Sequence, residues 1–305
     1  MFRTKPDFVM TGRRIDTDGE DFAVPDSEYA DDTAVLFTSR GSLVTATPLM
    51  ISHFVRFGMD IHVGTQDKPS KSEVLFAAAP EKMYEDPQTY DGKDLSNIDL
   101  GNGTFMPVVD KFRYLGSMIT RDCRDDIDVT SRIETAGNAF GALRKCIFSS
   151  PYTSFATKKL VYMALILSIL LYGSETWSLT EKLFHQLRLF HHRCIRAMCR
   201  VNRKHTREYH ISNTELLNRL GLSSIDAYVT RRQLRWAGHV ARMDMSRMPR
   251  KMLSSWVCNK RPRGAPQFTY GRGLVKAFKK ANIDSGDWWL SALDRVKWRD
   301  NINIA

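Results

Sequence analysis

The chain of 305 residues carries 45 Lys+Arg against 34 Asp+Glu, a formal net charge of +11, and is 43% hydrophobic. That length and composition supply core for two or three domains and exclude collagen-like, low-complexity and wholly disordered chains. The charge is unevenly spread: residues 1–150 hold 17 Lys+Arg and 24 Asp+Glu, residues 151–305 hold 28 and 10, so the second half is the one suited to a polyanion.

Taken in order, residues 1–28 are polar and punctuated by Gly12, Gly19 and Pro25. Thr33 to Phe37 is a short apolar run that reads as a buried strand, and residues 45–57 read as a helix stopped by Gly58. Ile61–Val63 and Glu73–Phe76 look like a strand pair around the loop Gly64–Ser72, and Pro80 to Gly103 reads as an acidic surface insertion. Phe112 to Ile119 is strand-like but interrupted by Gly116. After residue 123 the period changes. Ile133, Ala136, Phe140, Leu143 and Ile147 recur at spacings of 3, 4, 3 and 4, the stripe of an amphipathic helix. Leu160, Met163, Ala164, Leu167 and Leu171 predict a second helix. Leu183, Leu187, Phe190, Cys194 and Met198 predict a third, with Ser178-x-x-Glu181 as its capping box. Another helix is expected from the N-cap Ser224, with Ile225, Val229, Trp236, Val240 and Met243 on one side.

The longest apolar run, Leu160 to Tyr172, is 13 residues, short of the roughly 20 that span a bilayer. Five cysteines (Cys123, Cys146, Cys194, Cys199, Cys258) form no CxxC. Without a secretory pattern at Met1 they read as reduced thiols of an intracellular protein, nuclear or cytoplasmic, with no membrane partner.

The most informative segment is Tyr29-Ala30-Asp31-Asp32, directly before the apolar run. Two adjacent carboxylates at a hairpin turn offer the hard oxygen ligands that Mg²⁺ takes, and paired Mg²⁺ ions serve phosphoryl transfer. Acidic pairs in turns are more often simply solvated, and Asp125-Asp126 is another such pair. The string YADDTAVLF, however, resembles motif C of reverse transcriptases, and the strings downstream of it resemble those of the non-LTR (LINE-type) retrotransposon enzymes in the same order. Phe57-Gly58-Met59 with Ser70-Lys71-Ser72-Glu73-Val74-Leu75-Phe76 looks like motif D. Phe112-Arg113-Tyr114-Leu115-Gly116-Ser117 looks like motif E, the primer-grip hairpin. Ser131-Arg132-Ile133 looks like the start of the helical thumb, and LLYGSETW at 170–177 matches a string of that thumb. RRQLRWAGHVARM at 231–243 and Arg261-Pro262-Arg263-Gly264 are similar to C-terminal tails of the group.

The resemblance implies an α+β chain. Residues 1–122 would be a partial polymerase palm, a small antiparallel sheet with a helix. Residues 123–200 would be a mainly helical thumb, and 201–305 a basic helical C-terminal region. It further implies that Asp31 ligates both catalytic Mg²⁺ ions and Asp32 assists. Tyr29 would lie near the primer end, and Tyr114, Leu115 and Gly116 would grip the primer. Lys71 would give a proton to departing pyrophosphate, although from the residues alone it reads as a solvated loop lysine. Tyr114 and Leu115 likewise read as ordinary strand packing. Only 28 residues precede Tyr29, and Asp16, Asp18 and Asp21 there lie in a polar stretch rather than after an apolar strand. Fingers and motifs A and B are therefore not expected, and the chain is expected to be inactive alone, with its Mg²⁺ site incomplete.

In the basic half, Arg231, Arg235, His239 and Arg242 recur at spacings of 4, 4 and 3, with Arg232 beside them. A cationic ridge with that spacing can follow a phosphate backbone, bending where Gly238 weakens the helix. Lys260, Arg261 and Arg263 form a basic, turn-prone loop. Trp288, Trp289 and Trp298, expected in one last helix, are more often core than base-stacking platforms. Cys194 and Cys199 lie five residues apart, about 140° around a helix, which argues against a shared zinc ion. The expected partners are an RNA template and a DNA primer. The alternatives are a stand-alone RNA- or DNA-binding module and a relic with no stable fold.

Overall fold

A computed structural model describes residues 2–4, 19–24, 26–30, 32–77, 97–257 and 269–303. It is an α+β chain in which helices dominate and strands are short. Two compact units are formed, one of Phe22–Arg124 and one of Phe2–Asp21, Asp125–Val257 and Ala265–Ala305. At the start of the chain lie β1 (Phe2–Thr4) and β2 (Glu20–Phe22).

The first unit holds β3 (Asp26–Tyr29), β4 (Asp32–Val35), α1 (Arg40–Val55), β5 (Val74–Leu75), β6 (Asn97–Gly101), β7 (Thr104–Val109), β8 (Lys111–Tyr114) and β9 (Ser117–Thr120). β3 and β4 form a two-stranded hairpin closing at Tyr29↔Asp32, with Ala30 at φ +56° in its turn. β8 and β9 form a second hairpin closing at Tyr114↔Ser117. Its turn residues Leu115 (φ +47°) and Gly116 (φ +82°) are both left-handed, which matches the right-handed twist of the flanking strands. The interruption expected at Gly116 is this turn. The helix expected at 45–57 is α1, which begins earlier because the Ser39 hydroxyl accepts the Ser42 N–H.

Two expectations for this unit are corrected. Thr33–Phe37 is not a buried strand. β4 covers only Asp32–Val35 of a two-stranded ribbon, and Leu36 is 57% exposed. Nor do Ile61–Val63 and Glu73–Phe76 pair as strands. Gly64 instead exchanges both backbone hydrogen bonds with Phe105 at 2.8 and 3.0 Å. β5 lies parallel to β7, in the sheet order β5-β7-β6. Both partners come from more than 30 residues downstream, a pairing that local pattern does not encode.

The second unit contains α2 (Asp126–Leu143), running into a π-helical turn at Arg144–Phe148, then α3 (Phe155–Val161), a π-helical turn at Tyr162–Ile166 and α4 (Leu167–Leu170). After these come α5 (Glu181–Met198), α6 (Arg203–Glu208), α7 (Asn213–Leu220), α8 (Ile225–Ala241), α9 (Met248–Leu253), β10 (Ser255–Val257), α10 (Tyr270–Lys280), α11 (Trp288–Leu293) and α12 (Arg295–Asn303). β10 pairs antiparallel with β1. The three helices expected between 133 and 198 all form. The expected capping box does not: Thr180 caps α5, accepting from the Leu183 N–H, while the Ser178 N–H is already held by Asp125 Oδ2 at 2.6 Å.

Two apolar cores organise this unit, and α8 serves both. Leu183, Leu187, Phe190, Cys194 and Met198 of α5 pack with Phe140, Phe148, Tyr162, Leu170, Leu217, Ile225 and Val229 in the first. Leu234, Ala237 and Ala241 pack with Leu274, Phe278, Trp288, Trp298 and Ile302 in the second. Trp288 and Trp298 therefore lie in two helices, not one, and both are core residues rather than exposed platforms. Of the stripe expected on α8, Ile225, Val229 and Val240 are buried. Gln233, Leu234, Ala237 and Gly238 are buried with them, whereas Trp236 lies beside the stripe and is half-exposed. Gly238 has a packing reason: a Cβ there would stand 2.1 Å from Trp298 Nε1, which donates to the Leu234 carbonyl at 3.0 Å.

The LLYGSETW string belongs to the first core and is tied to α8. Leu170 and Leu171 are buried, and Trp177 Nε1 donates to Asp128 Oδ2 at 2.9 Å. From α8, Arg232 Nη1 donates to the Leu171 carbonyl at 3.0 Å and Gln233 Nε2 to the Trp177 carbonyl at 3.0 Å. A turn that cannot satisfy its own carbonyls in a helix is thereby satisfied by side chains.

Candidate nucleic-acid interface

In the first unit, the β3–β4 hairpin presents Tyr29 and Asp32 to solvent. Asp31 lies outside the described residues. The Tyr114 hydroxyl of β8 donates to the Ser27 carbonyl of β3 at 2.8 Å, so the YADD hairpin and the FRYLGS hairpin are fastened side by side. Leu115 is exposed at the tip of the second hairpin. Lys71 is exposed in a loop whose backbone is fixed by its own N–H donating to His62 Nδ1 at 3.2 Å and by Ser72 N–H donating to the His62 carbonyl at 3.1 Å. A solvent-facing carboxylate at a hairpin end is the donor type Mg²⁺ accepts, so the chemistry of Asp32 suits that ion.

On α8 the expected ridge divides by task. Arg235 and His239 are exposed. Arg231 is half-buried, and Arg232 is engaged with the Leu171 carbonyl and stands 3.9 Å from Glu175. Arg242 Nη1 donates to the Ala292 carbonyl at 2.5 Å, satisfying the end of α11. Lys260, Arg261 and Arg263 lie outside the described residues.

A denser cationic surface occurs where α5 runs into α6. Residues 193–208 hold six Lys or Arg (Arg193, Arg196, Arg200, Arg203, Lys204, Arg207) and one acid, Glu208. Arg196 is held below the ordinary guanidinium range by burial and then by the like charges of Arg203 and Arg193. Lys158, buried and donating to the Met198 carbonyl at 3.0 Å, is lowered by burial and then by Arg200. Like charges that depress one another in this way mark a surface whose energy falls when an anion arrives. Its signal in the sequence is charge density together with helical spacing, since Arg193, Arg196, Arg200, Arg203 and Arg207 recur at 3, 4, 3 and 4, although α5 ends at Met198 and α6 begins at Arg203.

Asp226, His191 and Cys194 are structural. Asp226 receives Arg188 in a bidentate pair, Nε to Oδ2 at 2.8 Å and Nη2 to Oδ1 at 2.6 Å, with Lys280 at 3.4 Å. Burial alone would raise the Asp226 carboxyl, but Arg188 and Lys280 outweigh it and hold it below its usual range. His191 is fully buried, with Tyr162 hydroxyl donating to Nδ1 at 2.8 Å and Nε2 donating to the Ser223 carbonyl at 3.1 Å. Its pKa falls to about 4, chiefly through burial. Cys194 belongs to the first core, and burial pushes its thiol up to about 12. No described helix is long and apolar enough to cross a membrane.

No family model and no solved structure matches the chain. Over 277 residues it is 23% identical to an uncharacterized transposon-derived protein of Caenorhabditis elegans, a match covering 88% of this chain and 92% of that one.

Proposed function

We propose that this chain derives from the reverse transcriptase of a non-LTR retrotransposon and that its basic helical unit binds nucleic acid, ancestrally an RNA template with a DNA primer. The observation that carries the reading is the Tyr114–Ser27 hydrogen bond, which joins the hairpins of the motif C-like and motif E-like strings across 87 residues. The similarity to a transposon-derived protein supports the same origin. Arg193, Arg196 and Arg203 on the surface of α5 and α6, with Arg235 and His239 on α8, are the groups suited to phosphates. Asp31 and Asp32 would be the Mg²⁺ ligands inherited from the polymerase. The 305 residues by themselves are expected to bind without extending a primer, because Asp16, Asp18 and Asp21, upstream of Tyr29, lie in a polar stretch instead of after an apolar strand as a third metal ligand should.

Fluorescence anisotropy with an RNA–DNA hybrid tests the binding half. Affinity should fall steeply with salt, and replacing Arg193, Arg196 and Arg203 together by Ala should lower the salt slope by roughly 2 to 3. Binding indifferent to salt would sink the nucleic-acid reading. Primer extension tests the other half: Mg²⁺-dependent synthesis that vanishes in Asp31→Ala would show an active enzyme instead.

A further inference from the structure

Three buried hydrogen-bond donors around one tryptophan lack acceptors. Arg250, on α9, is only 6% exposed, and its guanidinium lies 3.3 Å from the centroid of the Trp289 ring. Its Nε and Nη1 are shut from solvent and have no hydrogen-bond partner among the described residues. Trp288, whose ring meets Trp289 edge-on at 5.1 Å, buries an Nε1–H that is equally unpartnered. No carboxylate among the described residues compensates the charge, and burial lowers the Arg250 guanidinium. The flanking Arg247 and Lys251 add positive charge.

A buried, unpaired guanidinium is among the costliest groups a fold can keep. Ordinary structural arginines of this unit show the contrast. Arg232 and Arg242 reach carbonyls, and Arg188 reaches a carboxylate. At Arg250 all the unmade bonds are donor bonds. What is missing is therefore an acceptor, and the cation selects an anionic one. The contact with the Trp289 ring holds the guanidinium in place, and its planar N–H fork is the kind that pairs with two oxygens of an oxyanion.

We propose that Arg250, Trp288 and Trp289 form a binding seat for a single phosphate-type oxyanion, separate from the Arg193–Arg203 surface. The seat takes a phosphate group either as the free ion or as part of a nucleic-acid backbone. It does not depend on the nucleic-acid reading above.

The test is thermal unfolding of the full chain with inorganic phosphate titrated against chloride at constant ionic strength. Phosphate should raise Tm with the logarithm of its concentration once above its Kd, reaching about 5 °C when far above it. Arg250→Met should abolish that rise, while unfolding without phosphate at the same or a higher temperature than the parent, since it removes an uncompensated buried charge. Arg299→Met, at an exposed site, should leave the rise intact. A rise of equal size in Arg250→Met would overturn the proposal. So would identical behaviour in phosphate and chloride, the outcome if water fills the donors. A short oligonucleotide added to the phosphate-saturated protein then identifies the source. Stabilisation that does not add to that of phosphate assigns the seat to a backbone phosphate, and additive stabilisation assigns it to the free ion. Both require the seat.

Discussion

The two units of this chain invest their apolar residues in opposite ways. In the first, Ile98 and Met106 are the buried apolar side chains among the described residues, while Tyr29, Leu36, Leu49, Val55, Phe57 and Met59 stand exposed. Its sheets are two- and three-stranded, and α1 buries only Thr47. The second unit closes two cores around a shared helix and satisfies awkward carbonyls with Arg232, Gln233, Lys158 and Trp298. Hairpins this small have little stability of their own, so conformational stability in this protein resides in the helical unit. The hairpin unit holds its geometry through local turns, the β5-β7-β6 sheet with its Gly64–Phe105 bridge, and the Tyr114–Ser27 tie.

That contrast has its largest expected consequence in hydrogen exchange. Amides in the middle of α5 and α8 should be protected at least about 1,000-fold more than those of β3, β4 and α1, a difference of roughly 4 kcal/mol in opening free energy. Equal protection in both regions would break the comparison outright. Acid should expose the same asymmetry from the other side. His191 is held at about 4 in the folded chain against an ordinary value of 6.5. Its contribution is thus complete above pH 6.5 and is lost as pH falls from there through 4, by roughly 3 kcal/mol in all. His192, lowered by burial and then by Arg196 and Arg188, acts in the same direction. Urea unfolding followed by tryptophan fluorescence between pH 7.5 and 4.5 should show this decline, and His191→Phe should reduce it to the His192 remainder.

How much of this is legible in the sequence depends on the range of the interactions. The stripe Leu183, Leu187, Phe190, Cys194 and Met198 is a property of one helix, so spacing alone reveals α5 and its buried face. The α+β division is legible for the same reason, since the change of period near residue 123 is local. Trp177 on Asp128, Gln233 on the Trp177 carbonyl and β5 beside β7 each join residues tens of positions apart, and no spacing rule carries them. The candidate site is legible in part. The acidic pair reads as a hairpin turn, whereas Arg231 and Arg242 of the expected ridge, and Arg232 beside it, are partly withdrawn into the fold. Gly238 illustrates the same limit. In sequence it is a weak point of α8, and in three dimensions it is the gap that admits the Trp298 indole. Gly238→Ala should cost about 2 kcal/mol through displacement of that ring, in spite of the better helix propensity of alanine. A stabilised Gly238→Ala would mean that Trp298 does not cross α8 so closely.

The smallest expected effect is the most informative about the first unit. Leu49 is 66% exposed on α1, so Leu49→Ser removes little buried area and should change unfolding free energy by no more than about 0.5 kcal/mol. A core leucine of the second unit, such as Leu187, would lose several times as much when shortened, because a cavity is added to the lost transfer energy. If Leu49→Ser proved as costly as a core substitution, the apolar side of α1 would have to be covered in solution, and the contrast between the units would reflect an absent contact rather than a weak fold. If the cost is small, the exposed leucine is a true surface residue, and the helical unit alone sets the unfolding temperature of the chain.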